Sequence, residues 1–274
     1  MTNKKRVLVL GSTGMLGCAV GHYFEEHSEK YDTVLSYRNK EISYGRHRVY
    51  FDALQPNFDD LPACDYIINC VGIIKPFMKE SPLEAIQINS VFPWKLANHC
   101  QSLKTKLIHI TTDCVYSGVK GQYTEADTHD ALDDYGKSKS LGEPTNCMVL
   151  RTSIVGEEIH KKASLVEWVK SQKGKEVNGF VNHDWNGITT KQYAKICGQI
   201  ITNDLYEAAK FHIFSPDSVN KCELVSLLSN KYNLGLFVNK YEALIKVDRT
   251  LSTTKDLCFR LDISSIKQQI KELK

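Results

Sequence analysis

From residue 5 onward, short apolar runs rich in β-branched residues alternate with longer segments of helical spacing. The runs KRVLVLG (5–11), TVLSY (33–37), HRVYFD (47–52), DYIINCVG (65–72) and TKLIHITT (105–112) are mostly apolar throughout rather than alternating. That pattern predicts strands covered on both faces. Between them, helix-length segments span 14–27 and 83–101, with Pro93 expected to kink the second. A helix over about 134–144 and a strand over 146–155 continue the series. Such alternation implies right-handed crossovers and a mainly parallel, doubly wound α/β sheet.

After residue 156 the pattern changes. SLVEWVKSQ reads as a helix, KEVNGFVNHDWNG as strand and loop, and TKQYAKICGQIIT as a helix with apolar positions three and four apart. FHIFS and LFVNK read as short strands, KCELVSLLSNKYN as a helix, and DISSIKQQIKEL as a terminal helix capped by Asp262. The expected organisation is a cofactor-binding domain over 1–156, to which a segment of about 186–210 returns. Residues 157–185 and 211–274 then form a smaller α/β substrate lobe.

Composition narrows the class. A chain of 274 residues with 42% hydrophobic and 24% charged positions can bury a sizeable core. Its net charge of +3 is scattered, without a basic stripe, so no nucleic-acid partner is expected. The nine cysteines include no CxxC pair and several sit in apolar runs, which predicts reduced thiols in a cytoplasmic protein and no metal site. The apolar run after the N-terminal lysines is too short for a signal peptide, and no stretch approaches the roughly 20 residues of a membrane span.

The stretch VLVLGSTGMLG sets Gly11, Gly14 and Gly17 between the first strand and a helix. Glycines there permit a tight turn, close approach of a pyrophosphate, and close packing of helix on sheet. The free N–H groups of the helix start favour the phosphates. An NAD site usually offers Asp or Glu about 20 residues further on, whereas here the second strand ends LSYRNK. Arg38 suits a 2′-phosphate, so NADPH is preferred and NADH kept open; a solvated arginine is the plain alternative. Asp52 could accept from an adenine amino group or begin the next turn. In DDYGKSKSLGE, Tyr135 and Lys139 share a helical face, one turn apart. That spacing alone equally describes a wet surface, where Lys137 and Glu143 are expected to lie.

With GSTGMLG, NCVG, TTD and YGKSK in this order, joined by IQINS, LRTSIVG, WNGITT and DRTLST, the chain resembles the extended short-chain dehydrogenase/reductase superfamily. Within it, the dTDP-4-dehydrorhamnose reductase family is the most similar. The resemblance implies a Rossmann domain and NADPH-dependent reduction of the 4-keto group of a nucleotide-linked 6-deoxy sugar. It implies cofactor contacts from Gly11, Thr13, Gly14, Met15, Leu16, Arg38, Asp52, Ala53, Cys70, Val71, Gly72, Asn89, Tyr135 and Lys139. Tyr135 would supply the proton, Lys139 would favour its phenolate and bind the nicotinamide ribose, and Thr112 would hydrogen-bond the carbonyl oxygen. Asn89 would hold helix geometry or a relay water.

Substrate contacts are expected from Lys75, Thr112, Asp113, Cys114, Arg151, Trp185 with Asn186, and Arg249. Thr250 stands where the family commonly has proline. Cys114 occupies the place of the glutamate of nucleotide-sugar dehydratases, which disfavours dehydration. Related bifunctional 3,5-epimerase/4-reductases use a cysteine as an acid, with His160, Lys161, Lys162 or His183 as candidate bases here. A small apolar role for Cys114 is the alternative. The regulatory beta subunit of methionine adenosyltransferase also resembles this family, which leaves a non-catalytic, NADP-binding subunit as a third reading. A homodimer is allowed for.

Overall fold

The computed structural model describes residues 4–39, 47–160 and 162–274. Strand β1 (Lys5–Leu10) leads through a glycine turn into α1 (Met15–Glu26) and then β2 (Tyr31–Tyr37), β3 (Arg48–Tyr50) and β4 (Tyr66–Asn69). Helices α2 (Lys75–Met78), α3 (Pro82–Ile86) and α4 (Phe92–Ser102) follow, then β5 (Lys106–Thr112), α5 (Asp134–Leu141) and β6 (Met148–Thr152). The next segment runs through β7 (Ile154–Val155), α6 (Leu165–Ser171), β8 (Glu176–Phe180), β9 (His183–Trp185), β10 (Ile188–Thr189) and α7 (Thr190–Thr202). The chain ends with β11 (Lys210–His212), β12 (Val219–Asn220), α8 (Lys221–Lys231), β13 (Phe237–Tyr241), β14 (Val247–Asp248), α9 (Leu257–Arg260) and α10 (Ile266–Lys271).

Seven strands form one sheet in the order β11-β6-β5-β4-β1-β2-β3. β1 pairs in parallel with β2 and β4, β2 with β3, and β4 with β5. This is the doubly wound arrangement that the continuous apolar strands predict. Val7, Leu8, Val9 and Leu10 have no exposed surface, and each such side chain contributes about 1.5–3 kcal/mol by burial. Strand order reverses between β1 and β4, and the crevice beyond the carboxyl ends of strands at such a reversal is where open α/β sheets bind ligands.

Contacts divide the chain into two units: residues 1–111, 133–150 and 194–210, and residues 112–132, 151–193 and 211–274. In the first, Leu8, Leu10, Ile67, Phe92, Leu96 and Val149 join one apolar cluster. In the second, Val166, Trp185, Leu224, Leu228 and Ile270 form another, and Tyr116, Tyr123 and Leu251 a smaller one. A three-stranded sheet β12-β9-β14 and two-stranded pairs β13-β8 and β10-β7 complete the second unit.

Several local expectations are corrected. The helical segment over 83–101 is interrupted not by Pro93 but by a π-helical turn at Gln87–Val91; Pro93 sits in the first turn of α4, where its missing N–H costs little. The strand over 146–155 breaks at Ser153 into β6 and β7. Ser265, not Asp262, caps the terminal helix, its hydroxyl accepting from Gln268 N at 3.4 Å.

Candidate active site

The glycine turn is built by close approach. Gly11 has φ +77°, a conformation L side chains rarely adopt, and a Cβ on Gly17 would lie 2.1 Å from the Gly11 carbonyl oxygen. Two serines brace it to the end of β2: Gly11 N donates to Ser36 Oγ at 2.9 Å, and Ser12 Oγ donates to Ser36 O at 2.5 Å. Gly14 caps α1 in an extended conformation with no side chain over the first amides, and Thr13 and Gly14 are exposed. The first turn of α1, with Met15 and Leu16, therefore presents uncapped N–H groups, a ready anion site.

The adjoining strand end completes this side of the crevice. Cys70 N donates to Leu10 O at 3.0 Å, and Val71 N to Asn69 Oδ1 at 3.1 Å, so the Cys70–Gly72 loop lies beside the turn. Burial holds the Cys70 thiol well above its usual range. Arg38 is exposed just beyond β2, and Ala53 is buried. Asp52 Oδ1 accepts from Leu54 N at 3.0 Å, which makes it a turn-former whatever else it does.

Asp133 caps helix α5: its carboxylate accepts from Gly136 N at 2.9 Å and pairs with the exposed Lys75 at 3.0 Å. Tyr135 is half-buried in the first turn. Asn89 lies inside the π-helical turn. It exchanges hydrogen bonds of 2.9 Å with both the N–H and the carbonyl of Ile73, and donates to Ser138 Oγ at 3.2 Å. A Cβ on Gly72 would stand 3.6 Å from Asn89 Oδ1 and 4.0 Å from Lys139 Nζ, which places those three residues together.

Lys139 is buried, and its Nζ donates to Ile110 O at 3.3 Å, two residues before Thr112 on β5. Burial lowers its pKa to about 8, with Glu143 opposing the shift. Beneath it, His109 donates from Nε2 to Gly142 O at 3.1 Å and accepts at Nδ1 from Asn69 Nδ2 at 3.0 Å. That pattern requires neutral imidazole, and burial with the nearby Lys139 charge keeps its pKa well below normal. Glu143, expected on a wet face, is instead 3% exposed and pairs with Lys210 at 3.5 Å. Lys137 is exposed.

Thr112 begins the second unit. Its hydroxyl accepts from Cys114 N and donates to Asp113 Oδ1, both at 3.1 Å, capping a single 3₁₀ turn. Burial, reinforced by the Asp113 carboxylate, pushes the Cys114 thiol up to about 12. Arg249 donates through Nε to Tyr116 O at 2.8 Å. Thr250, at the proline position, donates to Asp248 Oδ1 at 2.6 Å and accepts from Gln122 N at 3.0 Å.

Three of the expected substrate contacts, Arg151, Trp185 and Asn186, are buried. Arg151 is 1% exposed; it donates to Tyr116 Oη and His212 Nε2 at 2.6 Å and to His129 Nε2 at 2.7 Å. Its guanidinium is thereby held in a buried network with one tyrosine and two histidines. Trp185 is likewise buried, in the apolar cluster of α8, and Asn186 spends its amide on both backbone groups of Leu251. Among the candidate bases, Lys161 lies outside the described residues, His160 and Lys162 are exposed, and His183 Nε2 donates to Ile245 O at 3.2 Å. Ser36, His109, Ser138 and Lys221 were not foreseen; Ser138 lies inside YGKSK without a role of its own, and pairing between distant strands and helices brings all four into place.

The glycine turn at the sheet's reversal point and the helix that carries Tyr135 and Lys139 after β5 make this a Rossmann-like α/β protein. More narrowly, residues 5–235 match the RmlD substrate binding domain, and the chain belongs to that family. It is 28% identical over 253 residues to methionine adenosyltransferase 2 subunit beta of Mus musculus, covering 84% of this chain and 73% of that one. It is 24% identical over 279 residues to the probable low-salt glycan biosynthesis reductase Agl14 of Haloferax volcanii, covering 96% and 91%. The fold matches dTDP-4-dehydrorhamnose reductase from Bacillus anthracis, solved with NADP, at a TM-score of 0.78 and 18% identity over 98% of each chain. Among the described residues no helix is long and apolar enough to cross a membrane, and no cluster of His, Cys, Asp or Glu could hold a metal.

Proposed function

We propose that the chain is a cytoplasmic, NADPH-dependent reductase of the 4-keto group of a nucleotide-linked 6-deoxy-4-keto-hexose. The first unit holds the cofactor and the second the sugar. The uncapped start of α1 and the braced turn at Gly11–Gly14 fit a pyrophosphate, and Arg38 fits a 2′-phosphate. The bound nicotinamide supplies the hydride. Tyr135 gives its proton to the oxygen, and Thr112 turns its hydroxyl from Asp113 to that oxygen.

The observation that carries the reading is Lys139. A buried ammonium with a pKa of about 8, one helical turn beyond Tyr135 and hydrogen-bonded to the strand that ends in Thr112, is suited to favouring phenolate near neutrality. The test is to mix the protein with NADPH and dTDP- or UDP-4-keto-6-deoxyglucose and follow the reduced nicotinamide. Oxidation dependent on the sugar supports the proposal. Tight NADPH binding without oxidation by either sugar points to the second reading, a non-catalytic cofactor-binding subunit. The likeness to methionine adenosyltransferase 2 subunit beta, by name one part of an assembly, favours that alternative. A third reading, added 3,5-epimerisation, draws on Cys114, whose thiol is held protonated as an acid must be.

A further inference from the structure

Lys221 follows β12 directly and Arg249 follows β14 directly, and these two strands flank β9. Val219 pairs with Trp185, and Asp184 faces Asn220 on one side and Asp248 on the other. Side chains alternate between the faces of a strand, so Val219, Trp185 and Arg249 share a face. Lys221 joins them, with Nζ 5.4 Å from the Trp185 ring centroid. The same face meets the turn that starts at Thr112: Arg249 Nε donates to Tyr116 O at 2.8 Å and Asp248 N to Gly118 O at 2.7 Å.

Carboxylates are present around this cluster, yet among the described residues none forms an ion pair with either cation. Lys221 and Arg249 are both half-buried, and among the described residues Lys221 makes no hydrogen bond or ion pair while Arg249 makes only the Tyr116 contact. The Asp113 carboxylate nearby takes the Thr112 hydroxyl, and Glu223 is spent in a capping box with Asn220. Burial pulls the Lys221 ammonium below the usual lysine range, opposed by the nearby Asp113 and Cys114 and aided least of all by Arg249. Two partly desolvated cations without a paired anion are unfavourable for stability alone. An oxyanion from a ligand would compensate them, held by the arginine fork and the lysine point charge.

We propose that Lys221 and Arg249, side by side over Trp185 and next to Asp113 and Cys114, form an oxyanion subsite for a phosphoryl or carboxylate group of the substrate. The subsite rests on the reductase reading for its sugar-nucleotide ligand and adds Lys221 as a residue that selects an anionic group beside the Thr112 turn.

The test is calorimetric titration of the full chain with inorganic pyrophosphate and, separately, with sodium glucuronate, keeping NADP⁺ present so that the glycine turn is filled. Wild type is expected to bind at least one probe, Lys221→Gln about tenfold or more weakly, and Lys221→Arg close to wild type. Lys221-dependent binding of pyrophosphate assigns the phosphoryl source, and of glucuronate the carboxylate source. Binding of neither probe, or equal binding by Lys221→Gln, overturns the subsite. If no sugar oxidises NADPH but Lys221-dependent binding persists, the reductase reading fails and the subsite stands.

Discussion

Replacing Lys139 by Met should stabilise the protein while destroying its activity. The ammonium is buried, and its pKa falls from 10.5 to about 8. At about 1.36 kcal/mol per unit, that shift is a cost of roughly 3 kcal/mol to the native state, with the attraction of Glu143 already included. Methionine keeps most of the buried stem but loses the bond to Ile110 O, worth about 1 kcal/mol. The net expectation is a gain of about 2 kcal/mol at pH 7.

The sign with pH follows from linkage. Between about pH 8 and 10.5 the unfolded lysine binds a proton that the native one has released, so wild-type stability gains from this group as pH rises. The advantage of Lys139→Met should therefore shrink through that window. Urea unfolding of both proteins at pH 7, 8, 9 and 10 measures it. A variant less stable at pH 7, with a pH-independent difference, would refute a desolvated Lys139.

Three further outcomes are expected. Gly17→Ala drives a methyl to 2.1 Å from the Gly11 carbonyl and should abolish NADPH binding; a fluorescence titration matching wild type would contradict the turn geometry. Burial and Arg151 lower the His212 pKa from 6.5 to about 4, so stability should fall by up to about 3 kcal/mol as pH drops through that interval. His212→Gln should flatten this acid limb in melting curves, and an unchanged limb would place the titration elsewhere. Cys114→Ala should keep sugar-dependent NADPH oxidation; solvent deuterium entering the sugar ring in wild type, and stopping in this variant, would instead assign epimerisation.

The central sheet was legible because its strands are buried on both faces, and that condition writes itself as continuous apolar runs such as VLVL and YIIN. The glycine turn was legible because close approach demands glycine whatever else surrounds it. Lys139 was readable only as half of a spacing: a lysine inside a helix looks the same wet or buried. Its burial depends on α5 packing against the π-helical turn through Asn89, Ser90 and Ser138. Glu143 misled for that reason, since the Lys210 that pairs with it lies far along the chain. Arg151 and Trp185 sit in motifs that suggested a ligand, and their burial, which depends on partners from distant parts of the chain, was not legible there. Lys221 lay in no motif at all, because three two- and three-residue strands with no periodicity of their own bring it over Trp185.

The account stands most directly on Tyr135. NADPH oxidation by the full chain, with a nucleoside-diphosphate 4-keto-6-deoxy sugar, should be rapid in wild type and slower by at least about a hundredfold in Tyr135→Phe, with NADPH affinity retained. Equal turnover in the two proteins would contradict the assignment of Tyr135 as proton donor.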